Sequence, residues 1–217
     1  MARFDDPSLL PGSGETPGES FSRALPLAGT AGEAYVEGRG IPRAVADDAG
    51  VRYAGDFAGR PALLVALRNR EGELRSVHGR YLQTRRGEEK MLTVGLGGGA
   101  VGVRGGWRAE PLVLVEGLFD ALSLAACGCP ALATVGRWAP WLPAAAAGRR
   151  VWLAFDAGRP GEKEVLHYRR QLAASRVRRL PPPLRCQDWN TALVKRGPCA
   201  LRTWLGERLA EEGETLP

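Results

Sequence analysis

From Leu112 to the C-terminus, short apolar runs alternate with helical stretches, and this alternation constrains the fold more than any other feature of the chain. Leu112–Val115, Ala131–Val135, Val151–Phe155 and Arg176–Leu180 read as strands. Leu118–Cys127, Trp138–Ala147, residues 161–174 and one or two stretches between Asp188 and Glu212 read as helices. Strands separated by helices need crossovers, which gives a mainly parallel sheet covered on both faces. Ligands bind such a sheet beyond the carboxyl ends of its strands. The acidic residues of this half stand at those ends. Glu116-Gly117 follows the first strand with Asp120 one turn further, and Asp156 follows the third. The fourth strand leads through Pro181–Pro183 to Asp188-Trp189-Asn190. Folding is expected to bring Glu116, Asp120, Asp156 and Asp188 to one rim. Clustered carboxylates repel unless a cation or proton neutralises them. Hard oxygen donors in a hydrated site suit Mg²⁺ or Mn²⁺ completed by phosphate oxygens, the setting of phosphoryl and nucleotidyl transfer. The plain alternative for each carboxylate is a helix N-cap or a solvated loop residue, and Asp188 could simply cap the helix that follows it.

Upstream, residues 30–110 read as a smaller mixed α+β module. Thr30 with Glu33 looks like a helix start, with the helix running to about Glu37 and stopping at Gly38 or Gly40. A second helix follows Pro42 and ends at Gly50. Ala62–Leu67 and Glu73–Tyr81 flank the Asn69–Gly72 turn and predict a hairpin. The glycine-rich stretch from Leu92 to Gly106 predicts short strands with tight turns. Residues 1–29 are dense in Pro, Gly and Ser without sustained period, and predict a disordered or linker tail that docks only near Leu25–Leu27. The expected fold class is α/β: a Rossmann-like module over 111–217 with a mainly parallel sheet, preceded by the α+β module.

The formal charge is +6, carried by 27 Arg against 3 Lys. A planar guanidinium fork suits phosphate, so a polyanionic partner fits this excess, as does a coding bias. The basic runs at Arg68–Arg86, Arg149–Arg150, Arg169–Arg170 and Arg176–Arg185 are candidate phosphate contacts or solvated faces. Four Cys and two His include no C-x-x-C pair, and Cys127-Gly128-Cys129 is one residue too tight for a zinc knuckle. Free thiols in a reducing compartment and no zinc are therefore expected. Without a signal peptide or an apolar run near the ~20 residues of a membrane span, a cytoplasmic protein without a membrane partner is expected. His78 reads as a strand residue, Trp107, Trp152 and Trp204 as packing residues, and Trp189 as either core or site.

The residues at the rim carry a resemblance. Val115-Glu116-Gly117-Leu118-Phe119-Asp120-Ala121-Leu122-Ser123-Leu124 resembles the first motif of the Toprim domain, a strand ending in E-G-x-x-D. Phe155-Asp156-Ala157-Gly158-Arg159-Pro160-Gly161 resembles its second motif, D-x-D-x-x-G. Gln187-Asp188-Trp189-Asn190-Thr191-Ala192-Leu193 is similar to the third acidic segment of bacterial-type primases and their mobile-element relatives. Leu27–Thr30, Ala34-Tyr35-Val36 and Arg39-Gly40-Ile41 look like the entry to the primase catalytic core, and Val77–Leu82 with Lys90 like its basic strand and lysine. The match runs from 27 to about 197.

The resemblance implies a Toprim module packed on a smaller module across a basic groove. It implies Mg²⁺-dependent joining of NTPs or dNTPs into primers on single-stranded DNA, in replication of a phage, plasmid or integrated element. Glu116, Asp120 and Asp156 would be catalytic, and Glu116, Asp156 and Asp188 would hold metal. Arg39, Arg80, Lys90, Arg159 and Asn190 would contact nucleic acid or nucleotide. The chain departs from the pattern at Gly158, which stands in the place of the second Asp, and at Asn190, where an acid often stands. Two outcomes fit these departures: catalysis with fewer metals, or a groove that binds single strands or a replication partner without catalysis. A metal-dependent Toprim nuclease is a further alternative. No zinc-ribbon ligand set and no G-x-x-x-x-G-K-[ST] loop occur in the sequence, so priming would depend on a separate helicase or replication protein, or on looser template selection.

Overall fold

A computed structural model of the chain describes residues 9–216 apart from 137, 212 and 214. The first half contains α1 (Pro17–Arg23), α2 (Ala31–Glu37), α3 (Arg43–Asp48), β1 (Arg52–Phe57), β2 (Arg60–Arg68), β3 (Leu74–Tyr81) and β4 (Met91–Gly95). The four strands form an antiparallel sheet in the order β1-β2-β3-β4. Strand β2 shows why this sheet is covered on both faces. Its Leu63, Val65 and Leu67 enter one core, while Ala62 and Leu64 enter another. An apolar run without polar alternation is stable only when neither face meets water.

One of those covers corrects the expectation for the N-terminus. Within the expected disordered or linker tail, residues 9–29 are ordered against the outer face of the sheet; residues 1–8 lie outside the described ones. Thr16 and Glu19 form a reciprocal capping box with Pro17 at the first helical position, which starts α1. Leu10 and Ala24 are buried beside Phe57, Leu64 and Val77, with Phe21 packed against them. The Pro, Gly and Ser content that suggested a tail belongs to caps and turns. Thr30 caps α2 as expected, but Glu33 reaches back to the Gly29 N–H rather than closing a capping box.

The second half contains β5 (Val101–Val103), β6 (Leu112–Val115), α4 (Leu118–Ala126), β7 (Ala131–Ala133), α5 (Leu142–Ala146), β8 (Arg150–Leu153), α6 (Arg159–Gln171), β9 (Arg176–Arg179) and α7 (Trp189–Ala210). Its sheet runs β5-β7-β6-β8-β9 and is parallel except for β5, which pairs antiparallel with β7. Thus β5 lies N-terminal to residue 111 yet belongs to the second sheet. Helices α5 and α6 cover one face, around Leu114, Leu153 and Phe155. On the other face, α4 and the two segments of α7, kinked at Gly197-Pro198, share a single core with α2, α3 and β2. The two sheets are therefore joined by a common interior. No helix of the described residues is long and apolar enough to cross a membrane.

Candidate active site

The register of the parallel sheet sets the site. Leu112 pairs with Val151 and Leu114 with Leu153, so β6 and β8 end level. Two residues past Leu114 comes Glu116, and three past Leu153 comes Asp156, on one edge of the sheet. Beyond β9 the chain turns through Pro181–Pro183 and brings Asp188 to the same edge. The carboxylates feel one another there. Partial desolvation first, then Asp156 and Glu164, raise the pKa of Glu116 above its ordinary value. Asp156 is raised by desolvation and by Asp188, against the nearby Arg179 guanidinium. Among the described residues no ion pair neutralises Glu116, Asp156 or Asp188.

Asp120 does a different job from its neighbours. Its Oδ1 accepts the Trp189 N–H at 2.9 Å, and the Asn190 N–H also faces the carboxylate. The Trp189 indole is fully buried and donates to the Ala154 carbonyl. These bonds tie the first turn of α4 to the start of α7 and the end of β8. They give Asp120 a positioning part, its carboxylate being turned to backbone donors.

Burial first, then Asp156 and Asp188, push the Asp120 carboxyl up to about 7 from 3.8. The folded value lies above the unfolded one, so the fold favours the protonated form. The stabilisation is complete below the unfolded value and is lost as pH rises toward 7. Asp120→Asn keeps the acceptor and cannot ionise. In EDTA it is expected to melt with the wild type at pH 4 and about 4–8 °C above it at pH 8, on the order of 2 kcal/mol after discounting for solvent. Coincident melting temperatures at pH 8 would remove Asp120 as the group responsible.

A divalent cation fits this rim in charge. Three acidic side chains without paired cations, two of them raised in pKa, are stabilised by one. The geometry limits how it is held: among the described residues no group of three His, Cys, Asp or Glu side chains stands ready to ligate one ion. Asp188 is committed as the N-cap of α7, its Oδ1 accepting the Thr191 N–H at 2.6 Å. Of the expected set of Glu116, Asp156 and Asp188, Asp188 thus has one carboxylate oxygen engaged by backbone and the other left. One or two carboxylates with water and substrate phosphate is a common Mg²⁺ arrangement.

Gly158 explains why the second acid of the D-x-D pattern is missing. It caps α6 at φ 92° and ψ −179°, a region open essentially to glycine alone. Nothing stands within 4 Å of a Cβ built there, so the obstacle is the backbone. Gly158→Ala and Gly158→Asp are both expected to lose about 1–3 kcal/mol of stability by denaturant unfolding. An Asp variant as stable as the wild type would show that the loop relaxes freely.

The candidate basic residues divide. Arg39 stacks over the Phe119 ring, 4.5 Å from its centroid, and donates to Asn190 Oδ1 at 2.9 Å. Asn190 is buried and returns two bonds, to the Arg39 carbonyl and Ser123 Oγ. Its expected nucleotide-contacting part is therefore replaced by a structural one: all its polar atoms are engaged between the two halves. Tyr35 accepts from both Arg39 and Arg80, and their charges hold its phenol below the ordinary value despite partial burial. Lys90 and Arg159 are exposed, Lys90 entering β4 and Arg159 opening α6. His78 is a buried strand residue at 2.8 Å from Thr93 Oγ1.

Sequence reasoning missed Arg179, Glu164 and His167. Arg179 holds the end of β8. Glu164 and His167 line a cleft of about 90 Å³ with Glu116. Their i, i+3 spacing on α6 was the available signal, weak until the helix is placed against β6.

Comparison with known proteins bears on the domains and the fold. Residues 113–193 match the Toprim-like family, and residues 16–102 match a domain of unknown function, DUF7146. Compared by sequence with curated proteins, the chain matches none. Among solved structures it resembles a DNA primase domain from Pseudomonas aeruginosa (17% identity, TM-score 0.64, 90% of this chain and 82% of that one). It also resembles the zinc-binding and RNA polymerase domains of Aquifex aeolicus primase (16%, 0.65, 90% and 63%). A third similar structure is the primase fragment of the bacteriophage T7 primase-helicase (20%, 0.57, 77% and 71%). At these identities the likeness is one of fold.

Proposed function

From a chain that carries a Toprim-like domain on the fold of the DnaG-type primase catalytic cores, we infer that the protein is a metal-dependent nucleotidyltransferase making short primers on single-stranded DNA. The observation that carries the reading is the convergence of Glu116 and Asp156 at one sheet edge, where desolvation first and then a neighbouring carboxylate, Asp156 for Glu116 and Asp188 for Asp156, raise both pKa values. A bound Mg²⁺ or Mn²⁺ would supply charge neutralisation at the transferring phosphate. Glu116 and Asp156 would hold it, and Glu116 would also take a proton from the attacking hydroxyl. Asp120 and Trp189 keep the three loops together. Arg80, Lys90 and Arg159 would offer guanidinium and ammonium donors to template or triphosphate. The setting proposed is replication of a phage, plasmid or integrated element in the cytoplasm, with a separate helicase or replication protein.

Among the described residues no three acidic side chains stand ready to hold one ion, which supports a second reading, a groove that binds single strands or a replication partner with weak or no turnover. One assay separates the possibilities: labelled NTPs or dNTPs, single-stranded template, and Mg²⁺ or Mn²⁺. Template-dependent oligomers that disappear with chelator support primer synthesis. Binding without oligomers supports the second reading, and metal-dependent cutting of the template supports a Toprim nuclease.

A further inference from the structure

At the end of the second sheet away from the acidic rim lies a cleft of about 660 Å³. It opens between the β2–β3 turn of the first sheet and the amino ends of β6 and β8. Leu112, which lines it at the amino end of β6, stands four positions before Glu116, about 13 Å of strand. We propose that this cleft binds single-stranded nucleic acid at a site distinct from the acidic rim.

Three observations carry the assignment. First, its charge is one-sided: Arg68, Arg70, Arg108 and Arg149 line it and no carboxylate does. Two of these build the wall. Arg149 pairs with Glu110 and donates to the carbonyls of Trp107, Ala109 and Ala145, while Arg68 holds the turn through the Gly72 carbonyl. Arg70 and Arg108 are exposed, and no described carboxylate pairs with either, so their guanidinium forks are available to phosphate. Second, the cleft contains aromatic surface suited to bases. Trp107 and Trp141 lie with ring centroids 5.3 Å apart and planes tilted by 30°, and both indoles line it. A base stacked on an indole is sequence-tolerant and worth several-fold to a hundredfold in affinity. Third, the indoles are preorganised: Trp141 Nε1 donates to the Gly98 carbonyl at 2.6 Å, and Trp107 packs over Gly102, where a Cβ would collide with its ring. Fixed aromatic surface beside free arginines matches a chain that alternates flat bases with phosphates. An acidic peptide would satisfy the arginines but leave the indoles without a partner.

The site does not rest on the reaction proposed above, and its test needs no turnover. The full chain is titrated in EDTA with fluorescein-labelled oligo(dT), followed by anisotropy and by intrinsic tryptophan fluorescence. The double variant Arg70→Glu/Arg108→Glu is expected to bind at least tenfold more weakly. The slope of log affinity against log salt should become shallower by about 1.4, two phosphate contacts being lost. Arg70→Lys/Arg108→Lys should retain most of the affinity. Arg169→Glu/Arg170→Glu, an equal charge change on the exposed last turn of α6, should alter it by less than about threefold. The wild type should show tryptophan quenching that the Glu double variant lacks. Equal weakening by both Glu double variants would overturn the proposal, leaving only net charge. So would displacement of the oligonucleotide by poly-glutamate at equal charge concentration, which would make the cleft an acidic-protein site.

Discussion

Glu116→Gln is expected to lower nucleotide incorporation by about 10²–10⁴-fold, with the melting temperature unchanged or slightly raised. The two halves of this expectation have one origin. In the metal-free protein the Glu116 charge is opposed by partial desolvation, by Asp156 and by Glu164, so a neutral isostere relieves repulsion and cannot weaken the fold by removing an attraction. The same charge is what a cation and a developing transition state require. Loss of turnover with retained stability therefore separates a chemical part from a structural one. Asp156→Asn is expected to behave alike. Incorporation at wild-type rates in either variant would remove the acidic rim as the reaction centre. Loss of rate together with a lowered melting temperature would assign Glu116 a structural part instead.

Arg179→Ala is expected to lower stability by about 3 kcal/mol, or roughly 6–12 °C in melting temperature for a chain of this size. Its Nη1 donates to the carbonyls of Leu153, Phe155 and Leu180 at 2.9–3.0 Å, and its Nη2 to that of Asp156 at 2.8 Å. Glu162 of α6 pairs with the same guanidinium, whose side chain is only 13% exposed. Strand β9 ends at Arg179; the Leu180 N–H still reaches the Leu153 carbonyl, but among the described residues no strand N–H is paired with the carbonyls of Phe155 and Asp156. One planar fork meets that demand and fixes the peptide that presents Asp156. A lysine offers a point charge that cannot span four carbonyls, so Arg179→Lys should recover little stability and little activity. A melting temperature within 1 °C of the wild type for Arg179→Ala would show that water serves these carbonyls equally well.

Much of the fold was legible from local pattern. The alternation after Leu112 identified β6, α4, β7, β8, α6 and β9, because a parallel sheet covered on both faces imposes apolar runs with helices between them. The hairpin β2–β3 and the helices α2 and α3 were marked by turn and cap residues. Strand β1 was missed, since its Arg52, Gly55 and Asp56 interrupt any alternation. Helix α1 was hidden by composition, and its capping box was the signal that outweighed it.

The acidic rim was legible for a topological reason: residues just past parallel strands must lie on one edge. How the carboxylates divide their work was only partly legible: the cap made by Asp188 lies within its own segment, but Asp120 is assigned by backbone N–H groups that arrive from α7. The same holds for Asn190, whose amide is engaged by Arg39, 151 residues away in sequence. Spacing within a segment reports which side chains share a face, but not which distant donor a carboxylate will meet.

By itself the sequence determined the strand–helix alternation, the edge on which Glu116 and Asp156 stand, and the glycine at 158 where the pattern has a second acid. These follow from local geometry, where a few bonds fix direction. Only the tertiary structure decided that the two sheets share a core, that Arg179 and Asp120 hold the rim, and that arginines and tryptophans meet at the opposite end. Those outcomes depend on long-range packing, in which each side chain is claimed by whichever partner the closed core brings within hydrogen-bonding reach.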